Sequence, residues 1–254
     1  MSLPFSRAIA TAVAATLTAL SFAAHAGDVQ VAVASNFAAP MQKLGAMFEQ
    51  DTGHKAVLSF GATGRLYTQL KGGAPYEVLL AADDESPQKL IEDGFAVKGT
   101  SFLYAKGRLV LWSPKAGFVD NAGGVLRGGR FEKLAVADPN YAPYGLAALE
   151  TLKTLRIAQV AEPKLVRSES FAQAYESVVK ADAQLGFLAL SQVMLDGKVT
   201  QGSIWMIPGG FYTPIMQNAV LLTKGKDNPA ATAFLEFLRG EKARAVIRGY
   251  GYAF

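Results

Sequence analysis

Hydroxyl-bearing and small residues recur in this sequence where a strand pattern turns into a helix pattern. Ser35-Asn36, Thr63 and Ser170-Phe171 each open a helical pattern, and Ala142-Pro143-Tyr144-Gly145 opens a fourth after an apolar strand. A helix N-terminus presents unpaired N–H groups and the positive end of the helix dipole, so each turn is a potential anion site. Four such ends in one crevice would bind a small oxyanion without any formal positive charge.

Helix capping is the alternative role for the same hydroxyls. Ser, Thr and Asn are common N-cap residues, and Ser35, Thr63 or Ser170 taken singly fits that role better than ligand binding. Ser35 and Thr63 nevertheless each follow a predicted strand of one sheet. Ligands of open α/β sheets bind outside the carboxyl ends of the strands. The residues alone therefore leave both roles open.

The elements that must position these turns alternate along the chain. Alternation of strands and helices is typical of a parallel sheet with helices on both faces, and it restarts in the second half, which indicates a second α/β lobe. Strand patterns cover 29–34, 56–60, 78–82, 134–137, 165–167 and 185–188, and helical patterns cover 37–50, 64–71, 85–93, 144–155 and 171–180.

Two extended stretches connect the two alternating regions. One lies around residues 103–111 and the other runs from 207 to 222. Two crossovers form a hinge, and a ligand cleft naturally lies between lobes joined in this way. We therefore expect a first lobe of residues 27–105 plus 213–254 and a second lobe of residues 106–212.

Residues 1–26 have the features of a secretory signal peptide. Arg7 precedes an apolar run, and Ala24-His25-Ala26 matches a small-x-small cleavage site. A retained membrane anchor is the alternative, but the Ala- and Thr-rich run and the cleavage site argue against it. We therefore expect export to the periplasm and a mature chain that begins at Gly27.

Composition excludes several classes of function. The net charge is +4, and no basic run with interleaved aromatic residues occurs, which argues against a nucleic-acid partner. Cysteine is absent, so disulfides and thiol chemistry are excluded. A chain of 254 residues is long enough for one large domain or two modest lobes.

A secreted hydrolase is the hypothesis from a different class. It requires a base beside a nucleophilic serine, and His54 is the one histidine that remains after the signal peptide. His54 lies in a Gly-His-Lys loop, where a solvated side chain is the more common outcome. No G-x-S-x-G, H-E-x-x-H or P-loop motif occurs. We therefore expect a protein that is not an enzyme.

Several short segments together carry a family resemblance. They are VAVASNF (31–37), GATGRL (61–66), GAPYEV (73–78), AAD (81–83), ADP (137–139), APYG (142–145), LGF (185–187) and RGYGY (248–252). They span essentially the whole mature chain in order. On these segments the sequence resembles the periplasmic molybdate-binding proteins of ABC-type uptake systems.

The resemblance implies an α/β protein with the two-lobed periplasmic-binding-protein fold of type II. Each lobe would be a mostly parallel sheet flanked by helices, and two crossover strands would join the lobes. The ligand would be molybdate, and tungstate as well, delivered to the membrane permease of an ABC importer. No cofactor, no direct metal-cation ligand and a monomeric state are implied. Sulfate, thiosulfate or another oxyanion is the alternative ligand, and cavity size would decide between them.

The resemblance also implies which groups bind the anion. Ser35 and Thr63 would donate their hydroxyls and N–H groups, and Asn36 would add an N–H. Tyr144 and Phe171 would give backbone N–H groups from the second lobe. Ser170 would cap its helix and leave binding to the N–H of Phe171.

Other polar side chains receive different expectations. Some family members bind the ligand through a tyrosine hydroxyl where this chain has Ala189, so Tyr144 or Ser191 is the candidate substitute. Arg65 is expected to be solvated because the family binds through neutral groups. Tyr250 and Tyr252 are expected to pack rather than to coordinate iron. Core positions are expected for Trp112 and Trp205.

Overall fold

The computed structural model describes residues 27–254, so the predicted signal peptide at residues 1–26 lies outside the described residues. The strands in chain order are β1 (Asp28–Ala34), β2 (Lys55–Gly61), β3 (Val78–Leu80), β4 (Phe102–Gly107), β5 (Leu109–Ser113), β6 (Leu134–Ala137), β7 (Leu165–Ser168), β8 (Leu185–Ala189), β9 (Met194–Leu195), β10 (Lys198–Val199), β11 (Ser203–Met206) and β12 (Ile215–Leu221).

The α-helices alternate with these strands. They are α1 (Ala38–Thr52), α2 (Thr63–Lys71), α3 (Glu85–Glu92), α4 (Gly124–Arg127), α5 (Pro143–Thr154), α6 (Ala158–Ala161), α7 (Phe171–Val179), α8 (Pro229–Arg239) and α9 (Glu241–Gly249). A 3₁₀ turn, Ser35–Phe37, leads directly into α1.

Two five-stranded sheets define two lobes. The first lobe has the strand order β2-β1-β3-β12-β4, and the second has the order β11-β5-β8-β6-β7. This arrangement confirms the predicted two-lobed α/β fold. In each sheet the three strands of the alternating region pair in parallel. The two remaining strands pair antiparallel, because β12 and β5 run in the opposite direction to the other four strands of their sheets.

The chain passes between the sheets twice. Strand β4 ends at Gly107 in the first sheet, and β5 begins at Leu109 in the second. The return runs from Met206 at the end of β11 to Ile215 at the start of β12. Both passages lie inside the extended stretches expected from the sequence, while the lobe limits at 105/106 and 212/213 stay predictions.

Each sheet is covered on both faces because alternate strand residues point to opposite sides. In β1, Val31 and Val33 pack with α1 and α8, whereas Ala32 packs with α2 and α3. In β5, Leu111 and Trp112 likewise enter different clusters. Trp112 is completely buried and Trp205 is 4% exposed, so the predicted core positions of both tryptophans are confirmed.

Helix α1 illustrates how the sequence periodicity produces the packing. Met41, Leu44 and Phe48 are spaced by three and four residues, lie on one face, and are completely buried. Their cluster includes Phe37, at the end of the turn that precedes α1. The same packing that anchors α1 therefore fixes the position of its N-terminal turn. Among residues 27–254, no helix has the length and apolar character needed to cross a membrane.

Candidate functional site

A small cavity lies between the two lobes where β1 and β2 end. Its volume is about 10 Å³, about the space that one water-sized sphere requires. Both lobes line it: Ala34, Ser35, Asn36, Gly61, Ala62, Thr63 and Ala82 from the first, and Ala142, Pro143, Tyr144 and Phe171 from the second. All five predicted site residues are thus brought together.

The helix ends at this cavity lack side-chain caps. Ala34, Ala62 and Ala142 occupy the N-cap positions of the Ser35 turn, α2 and α5, and none of these ends has a side-chain capping hydrogen bond. Alanine is a poor N-cap because it offers no acceptor to the first N–H groups. Ser35 and Thr63 are therefore the first residues inside their helical turns and not caps.

The fourth helix end is different. Ser170 is the N-cap of α7, and its Oγ accepts a hydrogen bond from the N–H of Gln173 at 3.4 Å, so the predicted capping role is confirmed. Phe171 follows as the first helical residue and is 3% exposed. Its N–H belongs to the first turn and has no intrahelical partner. The Ser170 side chain is not part of the cavity lining.

The Thr63 hydroxyl is oriented by a neighbouring strand. Thr63 is 1% exposed, and its Oγ1 accepts a hydrogen bond from the N–H of Ala82 at 3.0 Å. Ala82 follows β3, the strand beside β1. A hydroxyl carries one proton in addition to its acceptor capacity. Because the oxygen already accepts from Ala82, the O–H proton of Thr63 is free to be donated to a ligand.

The potential in the cavity comes from backbone dipoles. Among residues 27–254, no carboxylate, ammonium, guanidinium or imidazole group belongs to its lining. Burial raises the pKa of the Tyr144 hydroxyl well above its usual value, so this group is neutral at physiological pH. The unpaired N–H groups and the helix dipoles therefore supply the positive potential.

A carboxylate close to the cavity in sequence is used elsewhere. Asp83 follows the lining residue Ala82, and its side chain accepts hydrogen bonds from Ser86 N at 2.8 Å and Ser86 Oγ at 3.1 Å. Burial raises the pKa of Asp83, although the Ser86 hydrogen bonds oppose this effect. Asp83 does not line the cavity, so it adds no acceptor to the donor groups there.

A layer of polar side chains beneath the cavity was missed by sequence reasoning. Asn36 Nδ2 donates to Gln217 Oε1 at 2.6 Å and to Tyr252 Oη at 3.0 Å. Ser191, from the second lobe, donates from Oγ to the Asn36 carbonyl at 2.7 Å. The RGYGY segment signalled that the C-terminus matters, but no local pattern connects Tyr252 to Asn36.

The hydroxyl missing at Ala189 is not replaced by Ser191. Ala189 is completely buried at the end of β8, and neither it nor Ser191 lines the cavity. The proposed substitution by Ser191 is therefore wrong, because its proton is used by Asn36. Tyr144 does line the cavity, and its hydroxyl is buried against Gly107 with no hydrogen-bond partner among residues 27–254.

Arg65 connects the lobes outside the cavity. Its guanidinium lies 3.8 Å from the centre of the Tyr141 ring and 3.5 Å from Glu169 Oε1, both in the second lobe. The adjacent Gly64 N–H donates to the Tyr141 carbonyl at 3.0 Å. Arg65 does not line the cavity and its side chain is 45% exposed, so the expected solvated position is confirmed, with contacts to the second lobe in addition.

The remaining histidine and the C-terminal tyrosine lie outside the lining. His54 Nδ1 accepts a hydrogen bond from the N–H of Gly27 at 3.0 Å, and its ring stacks on Phe48. Tyr252 is 5% exposed and bonded to Ser191. The packing expected of Tyr252 is confirmed, with a hydrogen-bonding role in addition.

Comparison with known proteins identifies similar chains. The family model described as bacterial extracellular solute-binding protein matches residues 29–253. The molybdate-binding protein ModA of Azotobacter vinelandii is 54% identical over 233 residues, which cover 92% of each chain. ModA of Rhodobacter capsulatus is 47% identical over 246 residues, 97% of this chain and 96% of the relative.

A solved structure agrees with these sequence matches. The periplasmic molybdate-binding protein of Azotobacter vinelandii superimposes with a TM-score of 0.86 at 39% identity, covering 89% of this chain and 99% of the solved one. Both the sequence and the fold therefore lead to the same group of relatives.

The close approach at Gly107 yields a testable prediction. A Cβ at this position would lie 2.1 Å from Tyr144 Oη, so Gly107→Ala forces the buried Tyr144 side chain or the crossover backbone to move. We expect a loss of about 1–3 kcal/mol in the free energy of unfolding, the usual cost of overpacking, measured by urea denaturation. Gly210→Ala is the control, because a Cβ there meets nothing within 4 Å. Equal stability of both variants would contradict this packing.

Proposed function

Because the chain belongs to the bacterial extracellular solute-binding proteins, we propose that it captures molybdate, and tungstate, between its lobes. It delivers the anion to the membrane permease of an ABC importer and carries out no chemical step. Its ModA relatives, which are named as molybdate-binding proteins, support this ligand. The signal peptide expected at residues 1–26 supports a periplasmic location, and the protein acts as a monomer.

The observation that carries the proposal is a closed interlobe cavity that offers neutral hydrogen-bond donors. Molybdate at neutral pH is fully deprotonated and accepts hydrogen bonds only, so a donor-only lining suits it. Hydrogen bonds to a charged acceptor are about twice as strong as neutral ones. Removal of water on closure strengthens each of them further.

The donors divide between the lobes. Ser35 and Thr63 give hydroxyls and N–H groups from the first lobe, and Asn36 gives an N–H. Tyr144 and Phe171 give N–H groups from the second lobe. Neither set surrounds an anion alone, so the ligand itself completes the contact between residues 27–105 plus 213–254 and residues 106–212.

Sulfate is the competing ligand from the same class. It is also a tetrahedral dianion at neutral pH, so the hydrogen-bond donors alone do not distinguish it from molybdate. Molybdate is the larger ion, and discrimination therefore depends on the size of the closed cavity. Phosphate differs because it keeps a proton at neutral pH, and that proton requires an acceptor. The carboxylate of Asp83, which follows the lining residue Ala82, already accepts hydrogen bonds from Ser86.

Calorimetric titration with the four anions tests the ligand. We expect exothermic binding of molybdate and tungstate in a one-to-one ratio, and much weaker binding of sulfate and phosphate. The titrations are run in the same buffer with the mature chain from Gly27. Tight sulfate binding with no molybdate heat would overturn the proposed ligand and leave a sulfate-binding protein as the conclusion.

Removing single hydroxyls tests the site. Ser35→Ala and Thr63→Ala should each weaken molybdate binding by about 1–3 kcal/mol, the scale for hydrogen bonds to charged groups, while Thr63→Ser retains most of the affinity. Thr68→Ala is the matched control, since Thr68 lies on the same helix and is exposed. Calorimetry measures each affinity, and unchanged binding by both alanine variants would refute these ligand assignments.

A further inference from the structure

The polar layer beneath the cavity contains a closed ring of hydrogen bonds that spans both lobes. Asn36 Nδ2 donates to Tyr252 Oη at 3.0 Å, Tyr252 Oη donates to Ser191 Oγ at 2.9 Å, and Ser191 Oγ donates to the Asn36 carbonyl at 2.7 Å. Asn36 and Tyr252 belong to the first lobe, and Ser191 follows β8 of the second. The ring therefore joins the two lobes directly.

The side-chain protons of Asn36, Ser191 and Tyr252 each have an acceptor, whereas the buried Gln217 Nε2 beside them has no hydrogen-bond partner among residues 27–254. The second amide proton of Asn36 goes to Gln217 Oε1 at 2.6 Å, and the Asn36 carbonyl lies 2.9 Å from Tyr252 Oη as well. Asn36, Ser191, Gln217 and Tyr252 are each at most 5% exposed. A buried polar network is stabilising when fully satisfied and costly when one member is lost. Losing one hydroxyl therefore disturbs the whole ring.

The ring acts on the anion site through Asn36. The Asn36 side chain is hydrogen-bonded to Gln217 and Tyr252, and its carbonyl accepts from Ser191. Its N–H belongs to the Ser35–Phe37 turn at the cavity. Fixing both the carbonyl and the amide group of one residue fixes the direction of the N–H groups in that turn. The Ser191 contact makes this orientation depend on the second lobe.

The C-terminus is built to bring Tyr252 to this position. Gly251 has φ +84°, and a Cβ there would lie 2.6 Å from Leu190 Cδ2 of the second lobe. The Tyr252 ring packs edge-on against Phe37, with centroids 5.3 Å apart. Burial raises the pKa of Tyr252 to about 12, so the hydroxyl keeps its proton at physiological pH. These contacts hold the aromatic side chain of Tyr252 in place whether or not its hydroxyl is present.

We propose that the Tyr252 hydroxyl is a positioning group for anion capture, which orients the Asn36 turn when Ser191 of the second lobe arrives. The inference rests on the proposed function, since it assigns a role toward the same anion. It adds a residue that does not touch the ligand. The Tyr252 hydroxyl affects the rate of anion release. When the hydrogen-bond ring is intact, it stabilises the closed form. When the hydroxyl is absent, the lobes separate faster.

The test uses Tyr252→Phe, which removes the hydroxyl and keeps the packing against Phe37. We expect the rate of molybdate release, measured by stopped-flow fluorescence with excess tungstate as competitor, to rise about tenfold, the scale of one lost hydrogen bond. Tyr250→Phe is the matched control, with the same substitution at a partly exposed position two residues away. It should release molybdate at the wild-type rate.

Ser191→Ala supplies an independent second variant from the other lobe. It should also raise the release rate about tenfold, and the double variant should exceed either single variant only slightly, because both remove the same ring. A purely structural role would lower the unfolding midpoint and leave release unchanged. Wild-type release rates in Tyr252→Phe, or additive effects in the double variant, would overturn the inference.

The outcomes also separate this inference from the proposed function. If the wild-type protein binds molybdate and the variants release it normally, the function stands and the positioning role is wrong. If the wild-type protein binds neither molybdate nor tungstate, the proposed function is wrong and the inference is wrong with it.

Discussion

The structure depends on one constraint: helix N-termini that meet in a buried cavity must have their N–H groups satisfied. The first N–H groups of any helix lack intrahelical partners, and a buried unpaired donor is costly. At Ala34, Ala62 and Ala142 the chain carries alanine where a capping side chain would satisfy them. The Gly64 N–H at the start of α2 donates to the Tyr141 carbonyl, and the first N–H groups without such a partner require an external acceptor in a closed cavity. In the proposed function the anion is that acceptor.

The fold supplies the geometry for this constraint. Parallel strands of the first sheet end together and direct the Ser35 turn and α2 to one edge, while α5 and α7 begin at the facing edge of the second lobe. The two crossovers connect the lobes. At Gly107 the backbone lies so close to Tyr144 that no side chain would fit between them. Outside the cavity, the Arg65 guanidinium of the first lobe packs on the Tyr141 ring of the second. The anion site is therefore a property of the interface between lobes, and each lobe holds half of it.

Local patterns were sufficient for much of this picture. Strand and helix periodicity, together with the family resemblance, predicted the two lobes and brought Ser35, Asn36, Thr63, Tyr144 and Phe171 to one cavity. Ser35 and Thr63 were also candidates for N-caps, and only the backbone geometry decides whether such a residue is the cap or the first helical residue. The mixed pairing of the sheets depends on which strands the crossovers join.

The remainder depends on contacts between residues that are distant in sequence. Tyr252 lies 216 residues from Asn36, and Ser191 lies 155 residues from it. No periodicity or turn motif in the sequence predicts either contact. Ser191 was expected to replace a ligand hydroxyl because its position along the chain was close to Ala189, but the direction of its side chain is set by Asn36.

A crystal structure of the molybdate complex, with molybdenum located by anomalous scattering, would show whether the anion binds between the lobes. We expect one molybdenum atom in the cavity. Its oxygens should lie about 2.7–2.9 Å from the hydroxyls of Ser35 and Thr63 and from N–H groups of both lobes. Molybdenum bound by lysine or arginine side chains, or held by one lobe alone, would contradict this expectation.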